Sequence, residues 1–341
     1  MFRFKIKYGF LLLLPAVISC EKVFMDSRPQ SNPVSVFEVC WKELDERYAY
    51  FNLKHISWDS IYPVYKPLIY EQMTRDELWD VLLSMLCELK DGHVNLIDGE
   101  TWSNRSQCDN SPDYPAYFDF NVIHKRYLQD TLKSSGPLIY GIYDSVGYIY
   151  YPAFTQDISD ENIDDLITLF KDLKGIIIDI RGNGGGDSEN INRIQSRLVT
   201  QKTLVERIYY KTGPGHEDFS EAQEVFVSPE GKDQFTGPVA VLTNRYCFSS
   251  ANMFVSRMSV LPNVIIIGDT TAGGGGKPRF FDLPNGWAVR YSSNYALRPD
   301  GLDIEKGVPP DFRVILWPMD KLAGRDTLIE FALSWIMSQQ Q

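Results

Sequence analysis

Histidine and cysteine are scarce in this chain, four and five in 341 residues. No H-E-x-x-H sets two histidines on one helix face, and no C-x-x-C brings two thiols together. Zinc hydrolysis and thioredoxin-type redox chemistry are therefore disfavoured. Basic residues are in deficit: 34 Lys and Arg face 45 Asp and Glu, for a net charge of −11. That balance argues against a nucleic-acid partner, which needs a basic face to neutralise phosphates. There is no run of five like charges, no internal repeat and, beyond residue 20, no apolar run long enough to span a bilayer. The glycine-rich stretches also fail the nucleotide templates. GNGGGD has Asp187 at the sixth-position glycine of G-x-G-x-x-G, and TAGGGGKP begins with Thr271 and puts Pro278 where a phosphate loop has Ser or Thr. No G-x-S-x-G elbow occurs, so an α/β-hydrolase is disfavoured, and no carboxylate pair stands out as that of a glycosidase. What is present is a globular composition, 44% hydrophobic and 23% charged, in a chain long enough for about two domains.

The first twenty residues read as an address. Arg3, Lys5 and Lys7 precede an apolar stretch from Tyr8 to Ile18, which Ser19 and Cys20 close. The stretch is too short to cross a membrane but suits a signal-peptide core. Val-Ile-Ser-Cys resembles the lipobox of bacterial lipoproteins. The resemblance implies a signal peptide over 1–19, cleavage before Cys20, a lipid on the Cys20 thiol and a tether over 20–34. It predicts an exported protein held by its lipid in the cell envelope, periplasmic or outer-membrane anchored. Of the other cysteines (Cys40, Cys87, Cys108 and Cys247), Cys40 and Cys87 lie on apolar helical faces and are expected in the core.

From Val36 the pattern is helical, with Phe37, Trp41, Leu44, Tyr48 and Phe51 on one stripe. A second helical stretch runs from Trp58 to Tyr70. A third starts at Thr74, where Glu77 completes a capping box, and carries Leu78, Leu82, Met85 and Leu89. Gly92 is expected at the left-handed position past its end. These helices predict a small N-terminal helical domain over 35–92, with the remainder, 93–341, forming a second domain. VNLID, AYFDFNVI, PLIYGIY and GYIYYPAF read as strands. A helix over 160–173 leads to GIIIDI, the continuous apolar run of a strand buried on both faces. A helix near 188–200 and a polar surface loop over 212–230 follow. PVAVLTN, SSANMFVSRMSVL and VIIIGD make a β-α-β unit, Asn285-Gly286 marks a hairpin, and a helix near 326–338 closes the chain. The alternation predicts an α/β fold.

Acyl transfer needs a nucleophile, a base near neutrality and backbone donors for the oxyanion. Ser249 and Ser250 follow a buried strand and open an apolar helix, where the first N–H groups have no intrahelical partner. His93 stands just past a capped helix. His55 falls in a loop, His124 in an alternating strand and His216 in the GPGH loop.

In order, LKDGHV, GYIYYPAF, IIIDIRGNGGGD, VLTNRYCFSSANMF, IIGDTTAGGGG and DIEKGVPPD resemble the S41 peptidases, the C-terminal processing and tricorn-type serine proteases. DERYAYF and ISWDS resemble the helical domain that precedes the tricorn-type core. The resemblance implies a crotonase/ClpP-like catalytic domain of ββα units and a peptide or unfolded polypeptide as substrate, with no metal or organic cofactor. It puts the nucleophile at Ser249, one oxyanion donor at the Ser250 amide and the other at Gly184 or Gly185. The processing branch takes its base from a lysine position that is Gly274 here, with Lys277 three residues on. The tricorn branch uses a histidine, which falls on His93, with a distant glutamate matched by Glu305. That branch has a serine before its histidine where this chain has Gly92, so Asp91 is a second candidate to orient the ring. About fifty residues separate His93 from GYIYY, too few for a complete PDZ module of about 90 residues. The alternative is a peptide- or ligand-binding protein that keeps the fold without catalysis.

Overall fold

A computed structural model describes residues 30–99 and 117–340. Cys20, Cys108 and Ala116 lie outside them. The chain opens with α1 (Pro33–Arg47), α2 (Phe51–Lys54), α3 (Trp58–Tyr65) and α4 (Arg75–Cys87). Asn32 caps α1 by accepting the Ser35 N–H, and Thr74 and Glu77 close a reciprocal box on α4. Then come β1 (Asn95–Asp98), α5 (Phe120–Ile123), β2 (Lys133–Ser135), β3 (Leu138–Tyr143), β4 (Val146–Tyr150), α6 (Asp160–Phe170), β5 (Gly175–Asp179) and α7 (Glu189–Gln195). They are followed by β6 (Thr203–Tyr210), β7 (Gln223–Val227), β8 (Val239–Thr243), α8 (Ser250–Met258), β9 (Val264–Gly268), β10 (Pro278–Asp282), β11 (Trp287–Ser292), β12 (Asn294–Leu297) and β13 (Phe312–Arg313). Helices α9 (Pro318–Leu322) and α10 (Thr327–Ser338) end the chain.

The central sheet has seven strands in the order β13-β9-β8-β5-β4-β3-β2, parallel from β4 through β13. Its inner strands are covered on both faces. Ile176, Ile178, Val239, Val241 and Ile266 share a core with Phe170 of α6 and Phe254 of α8. Ile177, Ala240, Leu242 and Ile267 point the other way, onto Leu328, Ile329, Ala332 and Ile336 of α10. Period-two alternation with both faces apolar gives the unbroken hydrophobic runs of the sequence, and each fully buried aliphatic contributes about 1.5–3 kcal/mol. Two small antiparallel sheets flank this one, β12-β6-β7 and β1-β11-β10. The N-terminal helices share one core with the latter: Phe37, Leu44, Trp58, Leu82 and Met85 pack with Trp287, Val289 and Tyr291. The fold is thus α/β, with a helical region ahead of the main sheet.

Four local expectations are corrected. AYFDFNVI is not a strand over its described part: Asp119 Oδ1 accepts the Asn121 N–H at 3.0 Å and starts α5, so His124 sits in a helical turn. The 212–230 segment contains β7, a strand exposed on most positions and paired with β6, so its polarity resembles that of a loop. Gly92 is not the left-handed residue after α4; Lys90 is, with φ 45°. Cys87 is half-buried and disulfide-bonded rather than a core residue, whereas Cys40 and Cys247 are free and buried.

Candidate active site

The loops after β5 and β8, at the C-terminal ends of neighbouring parallel strands, are tied together. Asn244 Oδ1 accepts the Gly182 N–H at 3.0 Å, Cys247 Sγ donates to the Ile180 carbonyl at 3.1 Å, and the Phe248 N–H donates to the Asn183 carbonyl at 3.1 Å. The next residue, Ser249, has φ 57° and ψ −121°, a backbone conformation rarely adopted by residues with a side chain. Such strain costs about 1–3 kcal/mol and persists only where the surroundings over-determine it. Here the Ser249 N–H donates to Gly273 O at 2.9 Å, and the Ser249 carbonyl accepts the Met253 N–H in the first turn of α8. The strained corner presents Oγ at the helix start. Ser250 is different: its Oγ donates to the Gly186 carbonyl at 2.6 Å.

His93 reaches this corner from the opposite side, between α4 and β1. It is fully buried, with its N–H donating to Asp91 Oδ1 at 2.7 Å. Nε2 lies 3.0 Å from Ser249 Oγ, and Nδ1 lies 3.5 Å from Ser292 Oγ at the end of β11. The Phe248 ring packs on the imidazole, centroid to centroid 4.8 Å. A Cβ on Gly92 would come within 2.9 Å of that ring, so the aromatic fills the space a side chain at 92 would need. Burial pushes the His93 pKa down to about 4; Asp91 opposes the shift, while Arg290 and Lys54 add to it. The ring is therefore neutral at pH 7. With Nε2 as acceptor toward Ser249, its proton is on Nδ1, facing Ser292.

Gly185 is the close-approach glycine of the β5 loop. At φ 95°, a Cβ there would sit 2.7 Å from Phe248 O and 3.0 Å from Ser249 Cβ. Its N–H donates to Asn183 Oδ1 at 2.9 Å. The Gly184 amide makes no hydrogen bond among the described residues, and the space around Gly184 is open. Glu305 is not against the imidazole. It is buried, with Oε1 2.8 Å from Lys54 Nζ and Oε2 accepting the Gly275 N–H at 2.8 Å. Burial and the nearby Asp91 carboxylate push its pKa up to about 8, against the pull of Lys54 and the Gly275 amide.

A model of peptidase family S41 matches residues 145–314, and one of the tricorn protease C1 domain matches residues 29–87. A solved structure of a candidate peptidase from Parabacteroides merdae superimposes with a TM-score of 0.83 at 38% identity, covering 89% of this chain and 96% of that one. The chain belongs to peptidase family S41. It is 25% identical over 222 residues to the tricorn protease of Thermoplasma acidophilum, covering 63% of this chain and 18% of that protein. It is 28% identical over 185 residues to the carboxy-terminal processing protease CtpA of Bacillus subtilis, covering 54% of this chain and 38% of that protein. The chain thus spans well under half the length of these two curated relatives.

In this S41 chain the remaining candidates stand apart from Ser249. The Lys277 side chain is exposed, and its backbone N–H is held by Asn294 Oδ1. His216 pairs with Asp45 at 2.9 Å, and His55 is an exposed left-handed cap on α2. Sequence reasoning missed Lys54, Tyr48 and Ser292. Tyr48 Oη donates to Asp91 Oδ2 at 2.7 Å. Tyr48 lies in the DERYAYF stretch, but only its apolar periodicity was readable there. Lys54 and Ser292 carry no local signal, because their importance comes from what folds against them.

Proposed function

We propose that this S41 chain is a serine peptidase that cleaves peptides or unfolded polypeptide ends in the cell envelope. The observation that carries the reading is the 3.0 Å approach of a neutral, buried His93 Nε2 to the hydroxyl of a strained Ser249. In this reading His93 accepts the Ser249 proton as Oγ attacks the peptide carbonyl carbon. The Ser250 amide and the Gly184 amide hold the oxyanion; Gly184 is preferred because Gly185 already donates to Asn183. The tetrahedral intermediate collapses, His93 passes its proton to the leaving amine, and an acyl-enzyme forms. Water then attacks with His93 as base again, and Ser249 is regenerated. Glu305 bears on His93 at one remove, since its carboxylate is held by Lys54.

The same reading assigns residues 35–92 to a helical domain that precedes a catalytic domain over 93–341. It also assigns Cys20 to lipidation, so that C20S moves the protein from the membrane fraction to the soluble fraction. The decisive test is Ser249→Ala. The variant keeps its circular dichroism spectrum and thermal midpoint but loses covalent labelling by a fluorophosphonate. Undiminished labelling of the variant rejects the assignment, and a wild-type protein that is never labelled points to a peptide-binding scaffold instead.

A further inference from the structure

Lys54 lies in the four-residue helix α2, far in sequence from both members of the dyad, yet its side chain ends among the residues that hold them and is 8% exposed. Its ammonium is 2.8 Å from Glu305 Oε1 and 3.4 Å from Asp91 Oδ2, and it donates to the carbonyls of Lys90 at 3.1 Å and Leu89 at 3.4 Å. These acceptors fall into two groups. Leu89, Lys90 and Asp91 belong to the short segment that carries the base, and Asp91 Oδ1 accepts the His93 N–H. Lys90 in that segment is held at φ 45°, which a residue with a side chain keeps only under constraint. Glu305 belongs to the other group: its Oε2 accepts the Gly275 N–H and its carbonyl accepts the Gly274 N–H at 3.2 Å. The adjoining Gly273 carbonyl takes the Ser249 N–H. One ammonium therefore joins the backbone that places His93 to the backbone that fixes Ser249.

Building on the peptidase reading, we infer that Lys54 is a positioning residue, a buried clamp through which the N-terminal helices set the distance between base and nucleophile. Asp91 and Glu305 act as its two jaws. An ammonium suits this task because it is a compact charge with three donors that can serve acceptors on several chains at once. Removing it would leave two buried carboxyl groups facing each other, so simple charge balance is the competing explanation for its presence. The two explanations separate in a double variant. Lys54→Met removes the clamp, and at pH 9, where Glu305 is ionised, Lys54→Met with Glu305→Gln removes the clamp while restoring the charge count.

The measurement is the rate of fluorophosphonate labelling at Ser249, normalised to folded protein, together with the thermal midpoint. K54M is expected to label about ten- to a hundred-fold more slowly, the size of loss that follows an ångström-scale misplacement. K54R is expected to recover part of that rate. In the K54M/E305Q pair the midpoint returns toward wild type while labelling stays slow. Recovery of both together overturns the clamp in favour of charge balance, and the double variant also serves if K54M alone does not fold. Ser249-dependent labelling at the wild-type rate in K54M or in the double variant overturns this inference and leaves the peptidase reading standing. Wild-type labelling that survives S249A overturns both.

Discussion

Two buried ion clusters in this protein have the same parts and different construction. In each, one cation lies between two carboxylates and a tyrosine hydroxyl donates to one of them. Arg181 binds Asp179 through Nε and Nη2 and Asp326 through Nη1, and Tyr148 Oη donates to Asp179 at 2.8 Å. Lys54 binds Glu305 and Asp91, and Tyr48 Oη donates to Asp91 at 2.7 Å. The arginine cluster sits at the end of β5 and ties it to the cap of α10, where Asp326 accepts the Leu328 and Ile329 N–H groups. Its planar fork fixes every contact at once. The lysine cluster is looser. Its longer contact is 3.4 Å, and the adjacent Tyr50 hydroxyl is buried with no hydrogen-bond partner among the described residues. Its two carboxyls are also driven apart: burial and Asp91 raise Glu305, whereas Lys54, His93 and Tyr48 hold Asp91 below the usual carboxylate range despite its burial. Groups pushed apart in this way mark a site that handles protons. A tight fork serves stability, and a compact charge beside the segment that carries the base serves geometry.

The largest expected effect comes from breaking the fork. Arg181→Met should lose about 3–5 kcal/mol of stability, because it leaves Asp179 and Asp326 buried and unpaired. Urea denaturation would measure this, and the molecules that remain folded should still label at the wild-type rate. A slow-labelling but stable R181M would erase the distinction between the clusters. A smaller and more discriminating effect comes from the tyrosines. Tyr48→Phe and Tyr148→Phe each delete one hydrogen bond to a buried carboxylate, about 1.5–3 kcal/mol when the acceptor is charged. The two should cost similar stability, but only Y48F should slow labelling, because Asp91 holds the His93 N–H. Equal labelling rates in the two variants would remove Asp91 from any part in placing the base.

The clusters also mark where the sequence could be read and where it could not. The sheet strands were legible because burial on both faces writes itself as runs such as GIIIDI and PVAVLTN. Thr74 and Glu77 announced α4 because a capping box is local. The positions of Ser249 and His93 followed from a resemblance of ordered motifs, and the structure brings the two side chains within hydrogen-bond reach. The partner of Glu305 was illegible. Nothing near Lys54 signals that a lysine four residues into a short helix will meet a loop 251 residues later. The glycine at 92 likewise differs from the left-handed cap its position predicts, because its constraint is the Phe248 ring delivered by the loop after β8. Contacts made across the chain leave no periodicity.

The smallest expected effect is a near-absence of pH response where an ordinary histidine would give a large one. Labelling needs the neutral imidazole. His93 titrates at about 4 rather than 6.5, so the rate should be nearly flat from pH 7.5 to 5.5 and fall to half only near pH 4. Stability carries the same information with a definite sign. The unfolded His93 takes up a proton near 6.5 and the native one only near 4, so its contribution is present above 6.5 and is lost as pH falls through 4. Glu305 runs the other way. Its proton leaves the unfolded chain near 4.5 and the native protein near 8, so its contribution is present below 4.5 and is lost as pH rises through 8. Between 4.5 and 6.5 the two slopes oppose each other. Glu305→Gln removes one of them, and the stability of that variant should climb more steeply with pH across this window than that of wild type. An acid limb of labelling at 6.5, or an E305Q slope equal to that of wild type, would mean that the lysine cluster does not govern protons at the dyad, and its contrast with the arginine fork would reduce to one of shape.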